Sequence, residues 1–169
     1  IEGVESAIGI KSGSFEILDG TFIGNGPDKT PTNGNNNGIN ASGSSIQIES
    51  NPNYNGNINI NISDGNFISK NSNVIYEYTI NNSSTNVKSF NISGGNFNSE
   101  SGKDVFNLSS SFKNNHSSFI DGGIYNSDPT SYLKSGYNVV KDEGLHYEVV
   151  QNTMGVFKNP KMTDEYVIH

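Results

Sequence analysis

The chain contains no cysteine, no tryptophan and no arginine among its 169 residues. Without cysteine there is no disulfide framework, no thiolate metal site and no thiol nucleophile. Without arginine there is no bidentate guanidinium fork for phosphate or carboxylate. Ten lysines against seventeen acids leave a net charge of −7, and no basic stripe is visible, so no nucleic-acid partner is expected. Charge is sparse as well, at 16% of residues, and hydrophobic residues reach only 31%. The polar remainder is dominated by Asn, Ser and Gly, a composition that reads as disorder unless the apolar residues are regularly placed. No apolar run approaches the roughly 20 residues that span a bilayer, so no membrane insertion is expected. The chain begins at Ile1 without an initiator Met or a signal-peptide pattern, and reads as a segment of a longer protein.

The apolar residues are in fact regularly placed, because one short phrase returns four times. It reads Phe15-Glu-Ile17-Leu-Asp19-Gly20-Thr-Phe22, Ile60-Asn-Ile62-Ser-Asp64-Gly65-Asn-Phe67, Phe90-Asn-Ile92-Ser-Gly94-Gly95-Asn-Phe97 and, more loosely, Ser118-Phe-Ile120-Asp-Gly122-Gly123-Ile-Tyr125. The second and third copies are 30 residues apart and the last two 28, the mark of a unit that stacks on copies of itself. At the same offset of 30, Ile75-Tyr76-Glu-Tyr78 falls on Val105-Phe106-Asn-Leu108. Apolar residues at 74, 76, 78 and 80 alternate with Glu77 and Thr79, the period of a strand with one buried face.

Units of this length, with short strands between Gly, Asn and Ser turns, predict an all-β fold: a right-handed parallel β-helix of about four coils. Ile17, Ile62, Ile92 and Ile120 then form one interior column and Phe22, Phe67, Phe97 and Tyr125 another. Gly20, Gly65, Gly95 and Gly123 fall at one corner that needs positive φ or close backbone approach. Asn66 and Asn96 are the candidates for a side-chain amide ladder. The Asn-x-Ser/Thr triplets, such as Asn61-Ile-Ser63, are expected by chance in a chain this rich in Asn and Ser.

Gly20 and Gly65 lie 45 residues apart, so the first coil carries an excess that includes Gly24 to Gly38. That Gly-, Asn- and Pro-rich stretch predicts a projecting loop before Ile39 rejoins the stack. After Tyr125 the pattern changes. Asp128 as N-cap with Pro129 at the first helical position predicts a helix of one or two turns ending before Gly136. Tyr137–Lys141 and His146–Val150 about an Asp142-Glu-Gly144 turn predict a β-hairpin. The expected organisation is 1–125 as β-helix coils, 126–150 as the C-terminal cap of the same domain, and 151–169 as a linker or the start of a following module.

The run Gly122-Gly123-Ile-Tyr125, followed by Asn-Ser-Asp-Pro-x-x-Tyr132-Leu133-x-x-Gly136-Tyr137 and closed by Gly144-x-x-Tyr147-x-Val149, resembles the β-helix repeat segments of large modular cell-surface proteins of Gram-positive bacteria. The resemblance covers roughly residues 8–150. It implies an extracellular, cell-wall or surface-attached stalk or adhesin module, with a host protein or glycan and the neighbouring modules of the same chain as partners. It carries over no catalytic or ligand residue.

The chemistry-bearing residues form no recognisable catalytic set. Glycoside cleavage needs two carboxylates facing one cleft, but Asp19 and Asp64 precede a corner Gly, where Asp is an ordinary turn residue. A lyase resembling the pectate lyases would use Arg as base, and there is none. His116, His146 and His169 have no acidic or second His partner at ligand spacing, so no metal, no cofactor and no catalytic residue is expected. Carbohydrate binding is the alternative function, with polysaccharide cleavage behind it. Among the tyrosines, Tyr76 and Tyr78 read as core because they align with Phe106 and Leu108, which leaves Tyr54, in the turn-rich Asn51-Pro-Asn-Tyr54-Asn-Gly, as the candidate ligand-binding residue.

Overall fold

The computed structural model describes residues 1–30, 42–51, 54–80, 84–144 and 146–153, with the backbone of 156–157 and 166–167. The fold is predominantly β and built from parallel sheets. Before the first full repeat lies β1 (Glu2–Gly3). The first repeat is β2 (Ile8–Ile10), β3 (Gly13–Ile17) and β4 (Thr21–Gly24); the second is β5 (Ile46–Ser50), β6 (Ile58–Ile62) and β7 (Asn66–Ser69). The third is β8 (Ile75–Thr79), β9 (Val87–Ile92) and β10 (Asn96–Ser99). The fourth holds β11 (Phe106–Leu108), the helix α1 (Ser110–Asn115) and β12 (Ile124–Tyr125). Each strand pairs in parallel with its equivalent one repeat on, giving sheets β2-β5-β8-β11, β3-β6-β9 and β1-β4-β7-β10-β12.

Like residues therefore stack on like. Ile17, Ile62, Ile92 and Ile120 are successive partners, and Leu133 follows Ile120 by a further parallel bridge. Phe22, Phe67, Phe97 and Tyr125 stack with centroids 5.2, 4.8 and 4.8 Å apart and rings within 8° of parallel. The separation is close to the 4.7–4.9 Å between strands, so the ladder itself sets the offset stacking that aromatic rings favour. The phenol of Tyr125 ends the column, its hydroxyl donating to Gly122 O at 2.8 Å. At the corner between these columns Gly20, Gly65, Gly95 and Gly123 have φ between +100° and +126°, as the repeat required.

A third inward column has no counterpart in the hydrophobic pattern. Gly24, Ser69 and Ser99 are in register. Ser69 and Ser99 are buried, and their hydroxyls donate to the carbonyls of Gly43 and Ser72 at 3.1 and 2.9 Å. Ser45 does the same to Phe22 O at 2.8 Å. Serine can serve in the interior here because its one donor meets a backbone carbonyl.

The offset of 30 holds in two of the sheets and fails in the other. Ile75 pairs with Phe106, Tyr76 with Asn107 and Glu77 with Leu108, an offset of 31. Ile75 lies six positions beyond Ser69 and Phe106 seven beyond Ser99, and one added residue reverses which face each side chain takes. Tyr76 and Tyr78 are therefore turned away from the core, and the inward positions of β8 are Ile75, Glu77 and Thr79. Both faces of this strand are covered, which is why Tyr76 is buried although it stands on the outer side.

The end of the stack is closed by two devices. Phe90, Phe106, Phe112, Phe119 and Tyr132 meet edge to face or stacked at 4.9–5.9 Å, with α1 supplying Phe112. The hairpin β13 (Tyr137–Lys141) and β14 (Tyr147–Gln151) forms as expected, and β14 adds antiparallel to β12. The helix expected after Pro129 is a single 3-10 turn, Thr130–Tyr132. Asp128 Oδ1 accepts from Thr130 N at 2.9 Å, which fixes the entry, and Leu133 turns extended to reach Ile120. Beyond Gln151, β15 (Val156–Phe157) and β16 (Tyr166–Val167) pair antiparallel. Ile39 and most of the Gly24–Gly38 excursion lie outside the described residues. No described helix is long and apolar enough to cross a membrane.

Candidate functional site

Strand alternation gives each sheet an outer face, and those faces are the candidate sites. On β3, β6 and β9 it turns Ser14, Asn59 and Ser89 outward in one rung and Glu16, Asn61 and Asn91 in the next. Asn59 Nδ2 donates to Ser14 Oγ at 3.2 Å, and Asn59 Oδ1 accepts from Ser89 Oγ at 3.0 Å. These two rungs line a shallow groove of about 350 Å³.

The outer face of β4, β7, β10 and β12 carries the amide ladder. Asn96 Nδ2 donates to Asn66 Oδ1 at 3.1 Å, and Asn126 Nδ2 to Asn98 Oδ1 at 2.8 Å. The hairpin turn overhangs this face, so Asp142 and His146 share a second groove of about 350 Å³ with Asn96, Asn98 and Ile124. His146 is not isolated as the sequence suggested: its ring Nδ1 lies 3.3 Å from Asp142 Oδ2 and its backbone N–H donates to Asp142 Oδ1 at 2.8 Å. Those contacts, the backbone one foremost, hold the Asp142 carboxyl below the usual range. Four residues along a chain rarely bring side chains together in a strand, but a tight turn does.

On the remaining sheet the outward residues are Gln47, Tyr76 and Asn107, with Glu49 and Tyr78 in the next rung. Part of the first-repeat excursion lies against it. Asn71 Nδ2 donates to the carbonyls of Asn25 and Gly26 at 3.1 Å, and Ser72 Oγ donates to Asp28 Oδ1 at 3.0 Å. Lys103 Nζ stands 2.8 Å from Asp28 Oδ2 and, as hydrogen-bond donor, lowers the Asp28 carboxyl. Burial, with Asp28 nearby, raises the Tyr76 phenol, which bonds to Thr30 and Asn107.

Tyr54 is half-buried and lines none of these grooves. Lys11 Nζ stands 5.5 Å from its ring centroid and 3.4 Å from Glu49 Oε2, so a lysine already occupies one face of the ring. The corner aspartates serve the turn: Asp19 Oδ1 accepts from Gly20 N at 2.6 Å and Asp64 Oδ1 from Gly65 N at 2.7 Å. Asp64 also borders a groove of about 240 Å³ together with Glu148 of the hairpin. Asp121 pairs through Oδ2 with Lys134 Nζ at 2.9 Å. Among the described residues no group of three or more His, Asp or Glu is placed to hold a metal ion. His116 Nε2 lies 3.0 Å from Val87 O, and His169 is outside the described residues.

Glu77 is a buried acid that the hydrophobic pattern does not reveal. Its carboxylate lies in the inward row between Ile48 and Leu108. Oε1 accepts from Thr79 Oγ1 at 2.6 Å and Oε2 from Ser109 N at 3.0 Å, while Ser109 Oγ accepts from Phe112 N to cap α1. Burial raises this acid above the ordinary glutamate value, and the bonds from Ser109 and Thr79 and the proximity of His116 offset part of the rise. The one signal for it is the extra residue between Ser99 and Phe106.

No protein-family model matches the chain, and neither does any curated protein or solved structure. Chemically, the outer faces offer hydroxyl and amide donors and acceptors at strand spacing, a surface suited to non-covalent contact with a polar partner.

Proposed function

We propose that the chain is a right-handed parallel β-helix module of a bacterial cell-surface protein, a non-enzymatic stalk that also presents an interaction face to a host protein or glycan. One observation carries this reading: three repeats stack in register through the same three sheets in the same order, and a fourth continues two of those sheets and meets the third through the Ile92–Ile120 bridge. Each repeat lengthens such a stack by about 4.8 Å, so length is the property that repetition tunes, while the outer rungs can vary without disturbing the columns. The closing run from Gly122 to Val149 supports the surface-protein assignment through its resemblance to adhesin modules. The turn roles of Asp19 and Asp64 support the non-enzymatic part.

The second reading, a carbohydrate-binding β-helix, is favoured by the polar groove over Ser14, Asn59, Ser89, Glu16, Asn61 and Asn91. A glycan and matrix-protein array, run beside a polysaccharide-degradation assay, separates the readings. The stalk reading expects no turnover. Sugar binding lost in Asn61→Ala or Tyr54→Ala promotes the second reading. Turnover abolished by Asp64→Asn or Glu148→Gln contradicts the first and establishes a polysaccharide-cleaving enzyme.

A further inference from the structure

Asparagine followed by glycine is the dipeptide whose side-chain amide the backbone itself attacks most readily, because the glycine N–H is unhindered and its backbone is free to turn toward the amide. The sequence holds four such pairs: Asn25-Gly26, Asn33-Gly34, Asn37-Gly38 and Asn55-Gly56. The middle two lie outside the described residues. The other two sit in opposite settings. Gly26 is buried and donates its N–H to Glu5 O at 3.1 Å. Asn25 N donates to Gly3 O at 3.0 Å, Asn25 Nδ2 donates to Glu2 Oε1, and Asn71 Nδ2 holds both carbonyls of the pair. A Cβ on Gly26 would come within 2.7 Å of Glu5 Cα, so the neighbouring backbone leaves this pair little room to turn. Asn55 and Gly56, by contrast, are exposed. Among the described residues neither the Asn55 side chain nor Gly56 N takes part in a hydrogen bond, and the one bond to the pair runs from Ser12 Oγ to Asn55 O at 3.3 Å. The pair is slung between fixed points: Tyr54 N donates to Asn51 O at 3.0 Å before it, and Gly13 N donates to Asn57 O at 2.9 Å after it. The turn itself calls for the glycine, at φ +124°, so the reactive dipeptide is built into the fold.

We propose that Asn55-Gly56 is a site of spontaneous deamidation in the folded chain, and that the fold protects the same dipeptide at Asn25-Gly26. Gly56 N attacks Asn55 Cγ. Its proton passes to solvent base, the Cγ–Nδ2 bond breaks and ammonia leaves, closing a succinimide ring. Water then opens the ring. Cleavage between Gly56 N and Asn55 Cγ leaves aspartate, whereas cleavage of the original peptide bond leaves isoaspartate, with the main chain routed through the side-chain carbon. At Asn25 the same attack requires the Gly26–Glu5 bond to open first, and burial makes that opening costly. Either product places a new carboxylate between β5 and β6, next to Tyr54, whose ring Lys11 covers. Neither Asn55 nor Gly56 belongs to a strand, so the ladders survive the change. The proposal rests on the two environments and not on the surface-module reading.

The test holds the whole chain folded at mildly alkaline pH and samples it over time. Each sample is digested in acid, where ring closure is slow, and read by peptide mass spectrometry, with isoaspartyl methyltransferase labelling to mark isoaspartate. Position 55 is expected to gain the mass of an amide turned to an acid about tenfold or more ahead of position 25, the factor that one or two backbone bonds supply. The methyl label is expected to follow at position 55. In denaturant, where both pairs meet solvent, the two positions are expected to convert at similar rates. Asn55→Gln, whose longer side chain closes a ring far more slowly, is expected to abolish the signal at 55, leave position 25 as it was and keep the circular dichroism spectrum unchanged. Equal rates at 25 and 55 in the folded chain, conversion at 55 only after unfolding, or a difference that persists undiminished in denaturant overturns the proposal.

Discussion

At the scale of single residues, the repeat phrase explains which positions admit no change. Gly95 has φ +102°, and a Cβ there would come within 3.0 Å of Gly65 O. Gly122 has no such φ, but its Cβ would come within 2.0 Å of Ser93 O, a close approach that leaves no room for a side chain. Gly94 makes the matching approach to Ser63 O, which is why glycine in the later repeats replaces the aspartates of the earlier ones. Phe97→Ala removes a ring stacked on both sides and is expected to cost about 3–5 kcal/mol; Gly95→Val is expected to be comparably harmful. Asn71→Ala, an exposed side chain holding two carbonyls of the Asn25–Gly26 segment, is expected to cost only about 1 kcal/mol. Chemical denaturation of the three variants checks the ranking. Glu77 gives a prediction with a definite sign. Its carboxyl is raised in the folded chain relative to the unfolded one, so the folded state holds the proton more tightly. Stability from this group is complete below the unfolded glutamate value and is lost as pH rises through the folded one. Glu77→Gln is therefore expected to gain on the native chain as pH rises from acid to neutral, with the difference shrinking again below the ordinary glutamate range. Thermal melts across that interval decide, and a gap that grows toward acid would contradict the burial argument.

At the scale of elements, α1 depends on one side chain. Ser109 Oγ accepts from Phe112 N at 3.1 Å and donates to Thr79 Oγ1 at 3.0 Å, so it caps the helix and ties it to β8. Ser109→Ala is expected to cost about 0.5–2 kcal/mol and to speed hydrogen exchange in α1 before the sheets. This element was not legible in the sequence: Ser110–Asn115 has little apolar periodicity, and only Phe112 is buried. The columns of Ile62 and Phe67 were legible, because glycine spacing, alternation and aromatic positions all agreed on them. The register of β8 against β11 was not, because a single extra turn residue leaves the hydrophobic pattern plausible in either register while reversing its faces. Tyr54 stands out in the sequence for its turn-rich context, and context could not reveal that Lys11, paired with Glu49 of β5, stands over its ring.

At the scale of the whole molecule, a chain with so few hydrophobic residues folds because each is used twice, once against its own repeat and once against the next. Buried serines bonded to backbone carbonyls fill positions that apolar side chains would otherwise take, which accounts for the Asn-, Ser- and Gly-rich composition without invoking disorder. The central claim is the in-register parallel stacking on which the proposed β-helix rests, and the absence of cysteine makes it directly measurable. In an Asn66→Cys, Asn96→Cys double variant, the two positions are direct parallel partners, at the roughly 4.8 Å strand spacing that lies inside the Cα range a disulfide spans. Asn91, which pairs with Asn61 on a different sheet, supplies the control pair with Asn66. Mild oxidation at low protein concentration followed by intact and peptide mass spectrometry is expected to show an intramolecular disulfide between positions 66 and 96 in the first variant and none in the control. Absence of that link, or equal linking in both variants, would contradict the stacking.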